Sequence, residues 1–346
     1  MKFSDFVYFG WQIGRMHLQP AYRVPLSIYI VLTNRCNNRC VYCRTHNLPQ
    51  DDIWTTESLK RTINEMKACG ARRIQLTGGE PMVRSDIGEI IAYAKKLGFF
   101  VGMSTNGYQV AERIKELKGI DVVFLSYDGP PKVHARLRGE NNVGEIKSAL
   151  LALKTAGICV WTTTVLTKWN VDFIEEIVQF AKQQCILANF NRLEFFLKPP
   201  AYLHPLADEV QDLILGEDKQ KRAFQKLIQL KSSGAPIGSS FEYLKSVVEW
   251  PHADKVTDSK LSKRYRCWAG RAYGHLDADG MLYSCGWAAL WKLPGLDVLK
   301  EGFQSSWKKL KPISNCKSCS HACGVENNLI FSLNFSSIAN AFTNLR

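Results

Sequence analysis

Three cysteines fall within eight residues near the start of the chain, in Cys36-Asn-Asn-Arg-Cys40-Val-Tyr-Cys43. They follow the apolar run from Ser27 to Leu32, which predicts a buried strand. Thiolates are soft ligands, and clustered thiolates select iron–sulfur clusters, zinc or copper(I). A [4Fe–4S] cluster normally takes four thiolates, so three from this loop would leave one iron open to a small molecule.

Two other roles for these cysteines are weaker. Zinc sites usually combine two separated C-x2-C pairs, and the next cysteine, Cys69, lies in a helical pattern. No secretory signal precedes the thiols, so the chain's 11 cysteines indicate a reducing compartment and metal binding, not disulfides.

The net charge of +13 constrains the partners of the chain and not its fold. Nucleic-acid binding would need a basic stripe or a recognised module. Lys and Arg are scattered here, so nucleic acid is not expected. The apolar runs are far shorter than the ~18–20 residues of a membrane span, which favours a cytoplasmic protein, with membrane-surface association as the alternative.

From residue 27 onward, short β-branched runs alternate with helical patterns. The predicted strands are Ile28–Leu32, Arg73–Leu76, Phe99–Met103, Val122–Ser126, Val160–Leu166 and Leu193–Leu197. The predicted helices are Glu57–Cys69, Ile87–Lys96, Val110–Lys118, Glu145–Ala156 and Phe173–Gln184. This alternation predicts an α/β fold of parallel βαβ units, and six strands predict a partial (β/α)6 barrel of the TIM type.

Polar and glycine-rich motifs follow the predicted strands, where working loops lie in such folds. They are Thr77-Gly-Gly-Glu-Pro81, Ser104-Thr-Asn-Gly107, Ser126-Tyr-Asp-Gly129 and His134-Ala-Arg-Leu-Arg-Gly139. A glycine pair lets the backbone approach a ligand closely, and a carboxylate can accept from an ammonium group. Asn-Gly and Asp-Gly are also ordinary turn sequences, so each motif alone predicts little.

Taken together, C-x3-C-x2-C after the first strand and these later motifs resemble the radical S-adenosylmethionine (SAM) superfamily. The resemblance spans roughly residues 25–323. It implies a [4Fe–4S] cluster on Cys36, Cys40 and Cys43 whose open iron binds SAM. In that family the reduced cluster cleaves SAM to a 5′-deoxyadenosyl radical, which abstracts a hydrogen atom from the substrate.

The resemblance also implies a set of SAM-binding residues. They are Tyr42 near the adenine, Gly78, Gly79 and Glu80 at the amino group, Ser104 and Asn106 beside the cofactor, Ser126 and Asp128 at the ribose, and Arg138 at the carboxylate. Arginine suits the last role because a guanidinium binds a carboxylate in bidentate fashion. Arg138 is preferred to Arg136 because it directly precedes Gly139; a solvated surface charge is the alternative.

A second set of cysteines lies near the end of the chain, at Cys267, Cys285, Cys316, Cys319 and Cys323. The stretch 274–284 reads as a β-hairpin with an Asp-Gly turn, which would bring Cys267 and Cys285 together. The later C-x2-C pair could complete a four-thiolate set. On spacing alone, zinc fits as well as an iron–sulfur cluster.

Beside the radical SAM motifs, C-x12-G-x4-C from Cys267 through Gly280 to Cys285 resembles the SPASM/twitch extension. That extension carries auxiliary [4Fe–4S] clusters. The full SPASM form has more cysteines than this region offers, so the resemblance implies one auxiliary cluster. Its implied ligands are Cys267, Cys285, Cys316 and Cys319, with Cys323 as a fifth candidate.

The predicted organisation has five parts. They are an amphipathic segment over 1–24, a radical SAM barrel over 25–200, a helical linker over 201–260, a SPASM/twitch-like domain over 261–325 and an amphipathic C-terminal helix over 326–346. The first segment is expected to pack over the barrel mouth, with a membrane-surface helix as the alternative.

The resemblance implies an oxidoreductase that acts on a small sugar-like or cyclitol-like molecule. A peptide-modifying maturase is the alternative within the same class. Either would need an external one-electron donor such as flavodoxin or ferredoxin. A non-catalytic iron–sulfur carrier or a zinc-stabilised binding module is the alternative of another class, but neither has a use for Glu80 or Arg138.

Overall fold

The computed structural model describes residues 3–43, 45–194, 212–252, 256–258, 265–291, 293–313, 316 and 318–344. Its strands are β1 Ser27–Val31, β2 Arg73–Thr77, β3 Phe100–Thr105, β4 Val122–Ser126, β5 Cys159–Leu166, β6 Leu187–Arg192, β7 Thr257–Asp258, β8 Tyr273–Leu276, β9 Met281–Tyr283, β10 Leu296–Asp297 and β11 Ser318–Cys319. Strands β1 to β6 pair in parallel and in chain order. The expected α/β fold with a parallel sheet is therefore confirmed.

Helices connect each successive pair of strands from β1 to β6 except β3 and β4, and they cover the outer face of the sheet. The helices are α1 Phe3–Leu18, α2 Thr56–Ala68, α3 Ile87–Lys96, α4 Pro131–Arg138, α5 Val143–Thr155, α6 Ile174–Gln183, α7 Glu217–Ser232, α8 Phe241–Val248, α9 Gly286–Leu290, α10 Val298–Glu301, α11 Phe303–Lys309, α12 Ala322–Phe331 and α13 Phe335–Asn344. None of the described helices is long and apolar enough to cross a membrane.

The two faces of each parallel strand differ in polarity. Ile28 and Ile30 of β1 are fully buried and belong to the same core as Leu59 and Ile63 of α2. Because side chains alternate along a strand, Tyr29 points the other way, into the barrel. The register aligns it with Gln75, and pairs across the sheet place Ser104, Ser126 and Thr163 on the same inner face. We refer to these inward residues as the chamber.

The sixth strand lies earlier than its apolar run predicted. Residues 187–192 form β6. The predicted strand Leu193–Leu197 is wrong at residues 193 and 194, which follow β6, and its residues 195–197 lie outside the described part of the chain. Ala188 and Phe190 are buried in the core, and the alternating Asn189 and Asn191 face the chamber. A strand with a polar inner face alternates in polarity, so a search for continuous apolar sequence misses it.

The predicted helix Val110–Lys118 is also wrong, since this stretch holds only a 3-10 turn at Ile114–Leu117. The Arg113 guanidinium donates to the backbone carbonyls of Met82 and Arg84. These bonds hold the segment against the loop after β2, and turns replace the regular helix.

The single C-terminal helix predicted for 326–346 is wrong as well. The chain forms α12 and α13 instead, and α12 runs across residue 325, where a domain boundary was placed. Leu333 takes a left-handed conformation with φ 62°. The N–H groups of Leu333 and Asn334 donate to the carbonyls of Ile330 and Leu329, which is a Schellman ending with leucine where glycine is usual. The sequence therefore carries no stop signal.

The cysteine-rich end of the chain joins the barrel sheet directly. The predicted hairpin is confirmed, because β8 and β9 pair antiparallel. Strand β8 pairs in parallel with β1 from Ser27↔Tyr273 to Ile30↔Leu276. The sheet thus has nine strands in the order β10-β9-β8-β1-β2-β3-β4-β5-β6 among the described residues.

Helix α1 does not pack over the barrel mouth as expected. The Tyr8 hydroxyl donates to the Gly70 carbonyl at 3.0 Å, and the N–H of Val24 donates to the Arg271 carbonyl at 3.0 Å. Gly70 and Arg271 precede β2 and β8, so α1 lies at the amino ends of the strands. Tyr22, Trp268 and Tyr273 supply the aromatic surface on which Ile13 and Met16 of the helix pack, away from the polar motifs.

Candidate active site

The cysteine loop after β1 is tied to its neighbours by backbone hydrogen bonds. Gly79 and Glu80 donate to the carbonyls of Thr33 and Arg35, each at 2.8 Å, and Val41 donates to the Leu137 carbonyl at 3.0 Å. These bonds fix the loop against the end of β2 and against α4. The glycine motif and the three cysteines are therefore one structural unit.

Burial raises the pKa of the Cys36 thiol, and it raises the pKa of the Cys40 thiol to about 11. The charge of the Cys43 thiolate also raises the pKa of both thiols, so the three sulfur atoms are close neighbours. The Nη1 of Arg138 lies 3.8 Å from the Cys40 sulfur and favours its thiolate form. Metal ligation uses the thiolate, so this guanidinium assists it.

The glycine pair after β2 is required by close backbone packing. A Cβ atom at Gly79 would lie 2.1 Å from the Arg35 carbonyl oxygen, and one at Gly78 would lie 2.5 Å from the Thr33 carbonyl oxygen. Gly78 also has φ 152°, which side chains rarely adopt. Only glycine lets the two loops touch.

Glu80 is buried and joins the ends of β2 and β3. Its Oε1 accepts from Met82 N at 2.9 Å and from the Thr105 hydroxyl at 2.7 Å, and its Oε2 accepts from Asn106 N at 2.7 Å. Burial raises the pKa of this carboxyl. A carboxylate has about four acceptor positions, so one stays open to a further donor.

Asn106 and Ser104, the two SAM-binding residues predicted at the end of the third strand, lie in different places. The Asn106 amide donates to Asn37 of the cysteine loop at 2.7 Å, which brings Asn106 beside Glu80. Ser104 instead accepts from Gln75 at 3.3 Å, deeper in the chamber.

Asp128, Arg138 and Tyr42 form one buried group. Asp128 Oδ2 accepts from Arg138 Nε at 2.6 Å and from the Tyr42 hydroxyl at 2.5 Å, and Oδ1 accepts from Val165 N at 2.9 Å. Burial acts to lower the pKa of Arg138, but Asp128, Tyr42 and Cys40 together outweigh it and the pKa of Arg138 is raised. Ser126 makes none of these bonds and faces the chamber.

The second cysteine set gathers around the β8–β9 hairpin. Burial raises the pKa of the Cys285 thiol to about 11, and Cys267 is a charged neighbour of it. Cys319 has a raised pKa because of burial, with Cys316 and Cys285 as neighbours. These four thiols therefore lie together. Across the described ranges, no three His, Cys, Asp or Glu side chains converge closely enough for a single metal ion.

Cys323 stands apart from those four cysteines. It lies beside the hydroxyl of Tyr29 in the chamber, and Glu194 and Arg73 are its strongest charged neighbours. Asn327 of α12 donates to the same hydroxyl at 2.9 Å. Next to them, His321 Nδ1 lies 2.7 Å from each oxygen of Glu194. These residues bring the start of α12 and the chamber together.

Comparison with known proteins agrees with this geometry. The model of the radical SAM superfamily matches residues 30–181, which include the cysteine loop and all the strand-end motifs. Residues 30–181 form a radical SAM domain.

Two relatives of this radical SAM enzyme differ in the share of the chain to which they align. Mycofactocin maturase MftC of Mycolicibacterium smegmatis is 27% identical over 314 residues, which are 86% of this chain and 76% of that protein. The GTP 3′,8-cyclase of Aquifex aeolicus is 31% identical over 179 residues, 48% of this chain and 56% of that enzyme.

Solved radical SAM structures share the fold. Streptococcus suis SuiB bound to SAM has a TM-score of 0.66 at 16% identity and covers 86% of this chain and 69% of its own. A structure of anSMEcpe with bound AdoMet and a peptide has a TM-score of 0.60 at 16% identity. The match covers 92% of this chain and 99% of the anSMEcpe chain.

The cofactors of this radical SAM enzyme are a [4Fe–4S] cluster and SAM. The loop chemistry fits them. Three thiols lie beside a guanidinium, and Glu80 has an open acceptor position. Asn38, buried in the loop, has no hydrogen-bond partner for either amide atom among the residues that the structure describes, as expected of a group that a bound cofactor can satisfy.

Two residues that hold this site, His134 and Asn142, were given no role by sequence reasoning. Asp128 N donates to His134 Nδ1 at 3.1 Å, so His134 Nε2 carries the hydrogen and donates to Asn142 at 2.6 Å. Asn142 donates in turn to the Asn106 carbonyl at 2.9 Å. Asn142 precedes a helix, where asparagine predicts an ordinary cap, so nothing in the sequence signalled this link.

We predict that Cys285 and Cys323 respond differently to alanine substitution. Cys285→Ala should remove about four irons from the reconstituted enzyme while the first cluster persists. Cys323→Ala should leave the iron content unchanged, because Cys323 lies beside Tyr29 of the chamber, where Glu194 and Arg73 are its charged neighbours. Iron and sulfide analysis with Mössbauer spectroscopy tests both. Loss of iron in Cys323→Ala would make it a ligand.

Proposed function

We propose that this radical SAM enzyme is a peptide-modifying maturase. The observation that carries the proposal is the match to mycofactocin maturase MftC, which spans 86% of this chain and three quarters of that protein. The match to the GTP cyclase covers only about half of this chain. SuiB, which shares the fold, has been solved with the precursor peptide SuiA bound. These findings favour the peptide alternative over the sugar-like substrate expected at first.

We assign the site residues as follows. Cys36, Cys40 and Cys43 hold the first cluster, which with SAM supplies a 5′-deoxyadenosyl radical. Glu80 receives the SAM ammonium group in its open acceptor position, with Gly78 and Gly79 holding the loop in place.

Arg138 has Nε committed to Asp128, which leaves its terminal nitrogens for the SAM carboxylate. Tyr42 fixes Asp128 from the other side. Asp128 thus serves first as a clamp for Arg138 and only secondarily at the ribose. Asn106 and Ser126 remain proposed SAM contacts, and Ser104 lines the deeper chamber.

The second cluster is assigned to Cys267, Cys285, Cys316 and Cys319. We place the chamber between the two cysteine sets, because Tyr29 belongs to the strand that leads to the first set and its hydroxyl lies beside Cys323, which follows the second. A substrate radical formed in the chamber would have an electron acceptor nearby. Flavodoxin or ferredoxin is the proposed external donor for the first cluster.

Deuterium transfer can identify the substrate class. The reconstituted enzyme is given SAM, reductant and a perdeuterated extract fractionated into short peptides and into sugars and cyclitols. We expect deuterium in 5′-deoxyadenosine with the peptide fraction only. Heat-treated enzyme and Cys40→Ala are the controls, and neither should form 5′-deoxyadenosine. Transfer from the sugar fraction alone would overturn the peptide assignment.

A further inference from the structure

Helix α1 exposes three large apolar side chains along one face. Val7 is 57% exposed, Trp11 69% and Leu18 86%. Their spacings of four and seven residues place them on one side of the helix. The opposite side carries Ile13 and Met16, which are buried beside Trp268. The helix is thus anchored by one apolar face, and the other has no partner among the described residues.

The exposed surface continues onto the C-terminal turn. His17 Nε2 lies 2.9 Å from the Phe331 carbonyl, and the turn after Phe331 carries Leu333, 44% exposed, and Phe335, 84% exposed. These two, with Val7, Trp11 and Leu18, form what we term the apolar face. Five of the eight large apolar residues exposed in the described ranges belong to it. Such concentration marks an interaction surface.

Three arginines border the apolar face. Arg271 donates to the Pro20 carbonyl at 2.5 Å, Arg23 donates to the Lys308 carbonyl at 2.7 Å, and the Arg266 guanidinium lies 4.6 Å from the Trp268 ring centre. Burial and the nearby Arg271 lower the pKa of both Arg23 and Arg266, so the three guanidiniums are neighbours. Among described residues, none of the three pairs with a carboxylate. The border is therefore an uncompensated positive patch.

We propose that the apolar face, with its arginine border, docks on an anionic lipid surface. Helices of this kind lie in the membrane interface with Trp and Leu among the acyl chains and arginines at the headgroups. A second copy of the chain fits worse, because two identical docked faces would oppose their arginine clusters. The face lies at the amino ends of the strands, so docking leaves the cysteine loop and chamber on the side facing water.

Vesicle flotation of the full, reconstituted enzyme tests the proposal. We expect binding to equimolar phosphatidylglycerol and phosphatidylcholine, weakening as salt is raised, and little binding to phosphatidylcholine alone. Leu18→Ser and Trp11→Ser should each lower the partition coefficient about tenfold. Leu151→Ser is the matched control, since Leu151 is 70% exposed on α5, outside the apolar face, and its binding should not change.

Three results would overturn the proposal. They are absence of binding to the anionic vesicles, equal binding of Leu18→Ser and Leu151→Ser, and vesicle-independent dimerisation that Leu18→Ser abolishes. Iron content and SAM cleavage without vesicles should be normal in all three variants. A loss of vesicle binding is thereby distinguishable from a failure of the proposed peptide chemistry.

Discussion

Replacing Asp128 with asparagine should lower the free energy of unfolding by about 3–5 kcal/mol, the range for breaking a buried ion pair from one side. Asp128 is fully buried and Arg138 nearly so, and the change leaves the guanidinium without its counter-charge. Urea unfolding under anaerobic conditions measures the loss. SAM binding should weaken as well, because Arg138 loses the group that orients it.

Two further variants sharpen this test. Asp172→Asn removes one partner of the exposed Asp172–Lys219 pair and should change stability by less than about 1 kcal/mol. The double variant Asp128→Asn with Arg138→Met should be more stable than Asp128→Asn alone, since no uncompensated charge remains. If Asp128→Asn is no worse than Asp172→Asn, the buried pair does not stabilise the fold.

Gly79→Ala should lower the rate of SAM cleavage by on the order of a hundredfold, the effect of a misplacement of about 1 Å at a reacting centre. The added Cβ would lie 2.1 Å from the Arg35 carbonyl, and neither backbone segment can move without shifting the cysteine loop. Less iron should be retained after reconstitution. The assay is 5′-deoxyadenosine formation alongside iron analysis.

Gly144→Ala is the control for this glycine. A Cβ at Gly144 meets nothing within 4 Å, and the residue lies in α5, where alanine is favoured over glycine by up to about 1 kcal/mol. It should keep full iron and activity and unfold at slightly higher urea. Normal SAM cleavage by Gly79→Ala would contradict the close packing of the two loops.

The sequence predicted the parts of the site that depend on local spacing. The three cysteines, Gly79 and Glu80 follow strands whose ends must meet in a parallel sheet, so their proximity was predictable. The Asp128–Arg138 pair was not, because each residue had been assigned to a different part of SAM. Only the placement of α4 across the end of β4 shows that the two side chains satisfy each other.

Errors in the predicted fold also have specific causes. Strand β6 was misplaced because its asparagines face a polar chamber. The break between α12 and α13 was missed because Leu333 occupies a left-handed position without glycine as a marker. Both result from tertiary packing overriding a local sequence pattern.

The pairing of β1 with β8 has a consequence for synthesis on the ribosome. Strand β1 is made early, but its partner at Tyr273–Leu276 follows more than 200 residues later. At about 5–20 residues per second, one side of the nascent β1 waits on the order of ten seconds or longer for β8. An unpaired strand edge invites pairing with other chains. Expression yield should therefore depend on elongation speed and on chaperones that cover nascent strands.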